Sequence, residues 1–137
     1  MEDKIKPWKV KSKLIPDKTY KAVNKIARSI FHQIERKSKR TVYVRSRYFQ
    51  KQKVFLTFFW DHMSSKNIHD KTRRLKYFEC ALEVIKDSYY EPEIKSNPNN
   101  KQETFYRFYG ETLQGVFAVQ IKKDKHNRLE FISVFPK

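Results

Sequence analysis

The chain has 137 residues, 39% of them hydrophobic and 15% aromatic, with 31 Lys and Arg against 15 Asp and Glu for a formal charge of +16. That length fits one domain with a real buried core, and eleven Phe and eight Tyr exclude a disordered tail. Two Gly leave no glycine-rich phosphate loop, and the lone Cys80 excludes an internal disulfide and a cysteine-held zinc.

No uncharged apolar run approaches the ~18 residues of a membrane span. The first residues carry Lys4, Lys6, Lys9, Lys11 and Lys13 with no apolar stretch behind them, unlike a signal peptide. With a single cysteine, this points to a reducing, cytoplasmic setting and no membrane partner. The charge is lopsided. Residues 1–60 hold 17 basic and 4 acidic side chains (+13), while residues 61–137 hold 14 and 11 (+3). Such a field gathers polyanions, of which nucleic acid is the commonest, although solubility alone also explains a lysine excess.

Residues 1–16 read as a basic arm closed by Pro16, with Ile5, Trp8, Val10 and Leu14 available to pin it to a body over 17–137. From an Asp17 cap, Tyr20, Val23, Ile26, Ala27, Ile30, Phe31 and Ile34 predict an amphipathic helix that dies in 36–40. Its other side carries Lys21, Lys25, Arg28 and Arg36. A strand over 41–45 follows, then an almost wholly apolar run over 54–60 that predicts a strand covered on both faces.

The stretch 61–70 is polar. After it, Leu75, Phe78, Leu82, Ile85 and Tyr89 predict one regular helix capped by Asp70 or Thr72. Ser, Asn and Pro make 94–102 a loop. Strands over 104–109, 116–122 and 129–135 alternate and are joined by short turns, hence an antiparallel meander. On the last, Leu129, Phe131, Ser133 and Phe135 are expected to share a face. The predicted fold is α+β: an N-terminal helix on a curved antiparallel sheet of about five strands, with a second helix between strands 2 and 3.

Cutting RNA asks for a base at the ribose 2′-OH, a cation at the phosphorane oxygens and an acid at the leaving 5′-oxygen. His62 opens the polar stretch. If that stretch is helical, Lys66 lies one turn on along the same face and His69 near it after two. A neighbouring ammonium holds an imidazole neutral near pH 7. Ordinary surface polarity writes the same residues. Arg107 interrupts an aromatic strand and must find a carboxylate, Glu103 or Glu130, or a ligand phosphate. Ser133, between Phe131 and Phe135, either packs as a small residue or orients a phosphate. Most phenylalanines, including Phe55, Phe58, Phe78, Phe105, Phe117 and Phe131, fit core patterns. Tyr43, Tyr48, Tyr89, Tyr90, Tyr106 and Tyr109 are left as base-stacking candidates. His32, His62, His69 and His126 are scattered and no paired carboxylate cluster accompanies them, so neither a metal nor another cofactor is expected.

The segments Phe59-Trp60-Asp61-His62, Arg73-Arg74-Leu75, Tyr106-Arg107-Phe108-Tyr109-Gly110, Phe117-Ala118-Val119-Gln120-Ile121-Lys122 and Phe131-Ile132-Ser133-Val134-Phe135-Pro136 resemble those of phage and bacterial members of the barnase–EndoU–colicin–RelE superfamily of metal-independent ribonucleases. The resemblance spans about 41–136. It implies an antiparallel sheet against N-terminal helices, with RNA cleaved on the concave face. The family's histidine falls on His62, its strand arginine on Arg107 and its C-terminal hydroxyl on Ser133. Members vary their catalytic set and some have lost activity; the general acid is open between Lys66 and His69.

The expected protein is thus a toxin-like endoribonuclease using His62, Lys66, Arg107 and Ser133. Lys21, Lys25, Arg28, Arg45, Arg73 and Lys122 are expected along bound tRNA, rRNA or mRNA, and an acidic antitoxin or immunity protein as an inhibitor. The rivals are a non-catalytic RNA- or DNA-binding module and a partner-binding protein whose charge serves only solubility.

Overall fold

The computed structural model describes residues 5–137, so Lys4 and the start of the arm lie outside the described residues. Helix α1, Tyr20–Lys37, buries Val23, Ala27 and Phe31 as the periodicity requires. Its cap is Thr19 rather than Asp17: the Thr19 hydroxyl accepts from the Ala22 N–H at 3.2 Å. Strands β2, Tyr43–Ser46, and β3, Gln52–Phe55, form a hairpin.

The apolar run then departs from expectation. Only Val54 and Phe55 of it are strand; Thr57–Met63 is helix α2. Phe59, Trp60 and Met63, at helical spacing, enter the core, so the run is apolar because two element types share it. The expected long helix is also two. Helix α3, Ile68–Leu75, is capped by Asn67, and helix α4, Phe78–Asp87, starts after a break at Lys76 and Tyr77. Three helices, not one, therefore separate β3 from the next strand.

Residues 94–102 are no loop. Strand β4, Glu93–Asn97, pairs antiparallel with the long β5, Asn100–Thr112, and only the tip at Pro98 and Asn99 turns. Strands β6, Gly115–Lys123, and β7, Leu129–Pro136, complete the meander. Among the described residues the fold is α+β, with four helices and a curled sheet, but the sheet is mixed and seven-stranded rather than antiparallel and five-stranded. With a short strand β1 at Trp8–Lys9, its order is β1-β5-β6-β7-β3-β2, with β4 also on β5. Strand β1 is parallel to β5, and β3 is parallel to β7. Both parallel pairings join segments far apart in sequence.

The arm is laid along the body. Beyond β1, Glu83 accepts from the Lys11 and Ser12 N–H groups at 2.8 Å each, and Ile15 is buried. Trp8 packs edge-on against Tyr89 and Tyr90.

Strand β7 carries the feature that shapes the site. Gln120 pairs with Ser133 and Ile121 with Phe131, so Ile132 is an inserted residue. Phe131 faces the core while Ser133 and Phe135 turn to the opposite face, which corrects the expectation that they share one. Inside, Phe131 stacks on Phe59 with centroids 4.6 Å apart and planes 5° from parallel, tying α2 to β7.

Gly110, on β5, is fully packed. A Cβ there meets Val84 Cγ2 at 2.8 Å and overlaps the Phe117 ring, so α4 reaches the sheet only because this residue has no side chain. Gly110→Ala is expected to cost about 1–3 kcal/mol through overpacking, read as a lower denaturation midpoint at unchanged slope. An unshifted midpoint contradicts this packing.

Candidate active site

On the face of β5–β7 away from the core, alternation and the bulge align Arg107, Gln120 and Ser133 in one cross-strand row. Phe105, Lys122 and Glu130 form the next. Against this face stands the side of α2 that the core does not use. Phe58 and His62, one turn apart, point the same way, with rings 6.2 Å apart and 23° from parallel. Helix α2 ends at Met63, so Lys66 lies in a turn and not on a continuous helix with His62. Both nevertheless reach one cleft of about 480 Å³, whose wall also includes Arg74, Gln120, Lys122 and Ser133.

Arg74 is the best-anchored cation. Its Nε donates to Asp70 at 3.1 Å and one terminal nitrogen donates to Ser133 Oγ at 2.6 Å. Arg73 also donates to Asp70, at 2.9 Å, and the two guanidinium groups hold the Asp70 carboxyl below its usual range against the opposing pull of burial. Because Ser133 Oγ accepts from Arg74, its own hydroxyl proton is free to donate into the cleft. Lys122 lies between Glu103 at 3.6 Å and Glu130 at 3.7 Å, with its ammonium 4.7 Å above the Phe58 ring.

Burial, and then the charges of Lys66 and Arg74, push His62 below the ordinary imidazole value of 6.5. The ring is therefore mostly neutral at pH 7, as a proton acceptor must be.

Of the expected catalytic residues, His62, Lys66 and Ser133 share the cleft. Arg107 does not line it. It occupies an adjoining small depression with Glu93 and Lys95, separated by Phe105 and Gln120. Its guanidinium donates to Gln120 Oε1 at 3.3 Å and meets neither Glu103 nor Glu130, which take Lys122 instead. His69 is exposed on α3 and is not part of the cleft wall. Lys122 is the only residue of the expected RNA track in the cleft. Lys21, Lys25 and Arg28 lie exposed on α1, Arg45 on β2 and Arg73 on α3.

Sequence reasoning missed Arg74 and Gln120. Arg74 looks like any cation in a helix's last turn; only its i, i+4 spacing to Asp70 hints at a fixed side chain. Burial pushes the Cys80 thiol up to about 12, so it holds no thiolate nucleophile.

No known protein family, curated protein or solved structure matches the chain. The reading of the cleft rests on its own chemistry.

An NMR titration of the His62 ring is expected to give a midpoint below 6.5, and Lys66→Met to raise it only partway, because burial contributes most. The unfolded chain then takes up this proton first on acidification. The stability tied to neutral His62 is present above 6.5 and is lost as pH falls through the folded-state midpoint. A midpoint at or above 6.5 contradicts the described environment.

Proposed function

We propose that the protein is a toxin-type endoribonuclease that cuts RNA by attack of a ribose 2′-OH on the adjacent phosphate. The observation that carries this reading is the shared cleft: a depressed-pKa imidazole, an ammonium and an arginine-held hydroxyl line one wall-to-wall space. His62 takes the 2′-OH proton as the O2′–P bond forms. Arg74 and the Ser133 hydroxyl hold the non-bridging oxygens as charge builds on them. The P–O5′ bond breaks, and the Lys66 ammonium gives its proton to the leaving oxygen, leaving a 2′,3′-cyclic phosphate and a 5′-OH. Lys66 takes this role because His69 stands outside the cleft. Arg107, one strand beyond Gln120, holds a flanking phosphate.

This assignment agrees with the resemblance to the barnase–EndoU–colicin–RelE enzymes, with Arg74 at the scissile phosphate where Arg107 was expected. A cytoplasmic RNA such as tRNA, rRNA or mRNA is the substrate. The exposed Lys21, Lys25 and Arg28 on α1 offer an acidic antitoxin or immunity protein a docking face away from the chemistry.

One observation favours the rival, a binding module without chemistry. Arg74 is already paired with Asp70, and Lys122 with two glutamates, so the cleft's cations are partly neutralised from within.

Incubation with total RNA in EDTA separates the two. The enzyme releases fragments ending in cyclic phosphate, and His62→Ala slows release by about 10²–10⁴-fold. Its rate should climb with pH through a midpoint below 6.5 as His62 loses its proton. Absence of cleavage, or equal cleavage by the variant, rejects the nuclease and leaves the binding module.

A further inference from the structure

The same sheet face runs on past the cleft. Register places Tyr43 beside Phe55, Phe55 beside Glu130, Glu130 beside Lys122 and Lys122 beside Phe105, a single row crossing five strands. Val42 just before β2, Val44 and Ser46 on it and Val54 on β3 are buried, so Tyr43 and Phe55 occupy the side opposite the core and are only half-covered. Phe55, Phe58 and Phe105, expected inside, are all half-exposed on this side, whereas Phe78, Phe117 and Phe131 are buried.

Cations accompany the rings. The Arg128 guanidinium lies 3.8 Å over Phe55, and the Lys53 ammonium 4.6 Å over Tyr43, with Arg45 at 5.4 Å. The one acid in the row, Glu130, is offset by Lys122 at 3.7 Å and Arg128 at 3.5 Å. Half-exposed aromatic faces interleaved with positive charge fit an occupant that has both π-faces and a polyanionic backbone. Apolar protein surface satisfies only the first and an acidic peptide only the second. Unpaired bases satisfy both.

We propose that Phe55 with Arg128, and Tyr43 with Lys53 and Arg45, form a stacking track that holds the unpaired bases of a single-stranded RNA next to the linkage in the cleft. The proposal deepens, and rests on, the reading of that cleft as an RNA site. Four strand spacings separate Phe105 from Tyr43, about 19 Å. That is the length of about five to six stacked nucleotides at ~3.4 Å each. The substrate is then a single-stranded loop or tail, since in a duplex the base faces are already stacked on one another.

The test is fluorescence anisotropy with a labelled 2′-O-methyl octanucleotide, which lacks the attacking hydroxyl and so reports binding without cleavage. Phe55→Leu and Tyr43→Leu keep apolar bulk but remove the ring face. Each is expected to weaken binding about 5- to 100-fold, with circular dichroism unchanged. Leu113→Ala, at an exposed residue in the turn between β5 and β6 outside the row, is expected to change nothing. A duplex of the same sequence should bind more weakly than the single strand. Unaltered octamer binding by both folded leucine variants overturns the track, as does absence of binding by the native chain. If the native chain binds the octamer through Tyr43 and Phe55 but cuts no natural RNA, the nuclease reading fails and the track stands.

Discussion

The bulge at Ile132 lets one strand serve two faces of the sheet, sending Phe131 to the core and Ser133 to the cleft. Phe131 stacks on Phe59 and thereby fixes the rotation of α2. With Phe59, Trp60 and Met63 committed inward, the remaining side of that helix must carry Phe58 and His62 outward over β7. Ser133, two residues beyond the stack, then faces the same space and is met by Arg74 from α3. Without the inserted residue, strict alternation would put Ser133 on the side of Phe131, in the core.

The electrostatics follow from that placement. The cleft brings Lys66, Arg74 and Lys122 around one imidazole, with Arg74 paired to Asp70 and Lys122 to Glu103 and Glu130. A neutral base beside fixed positive charge suits a reaction that starts from a hydroxyl and builds negative charge on phosphate oxygens. The larger positive field lies elsewhere, along α1 and the β2–β3 hairpin. It draws a polyanion in without itself touching the reacting bond. The row of Tyr43, Phe55 and Phe105 connects that field to the cleft.

Local patterns in the sequence carry α1 and the strands β2, β5 and β6, because each keeps one period; β7 is legible as a strand, but the inserted Ile132 that breaks its alternation is not. The run 54–60 keeps no single period, since a strand end and a helix start are both apolar there. The break at Lys76 and Tyr77 is invisible for the opposite reason: Leu75, Phe78 and Leu82 keep helical spacing across it. The β4 strand hides in Asn- and Ser-rich composition, and the parallel pairings of β1 with β5 and β3 with β7 leave no local trace. In the site, Ser133 is legible as a polar residue between apolar ones, and His62 and Lys66 as titratable groups in the polar stretch that follows the apolar run. Arg74 and Arg107 differ only in which strand or helix finally lies beside Ser133, and that depends on the bulge.

The claim at the centre is that a phosphodiester sits between α2 and β7. Amide chemical-shift mapping with a short 2′-deoxy-substituted RNA tests it directly, because the ligand binds without being cut. The account predicts the largest shifts at His62, Lys66, Gln120 and Ser133. Shifts confined to the lysines and arginines of α1, with those four unmoved, would contradict it.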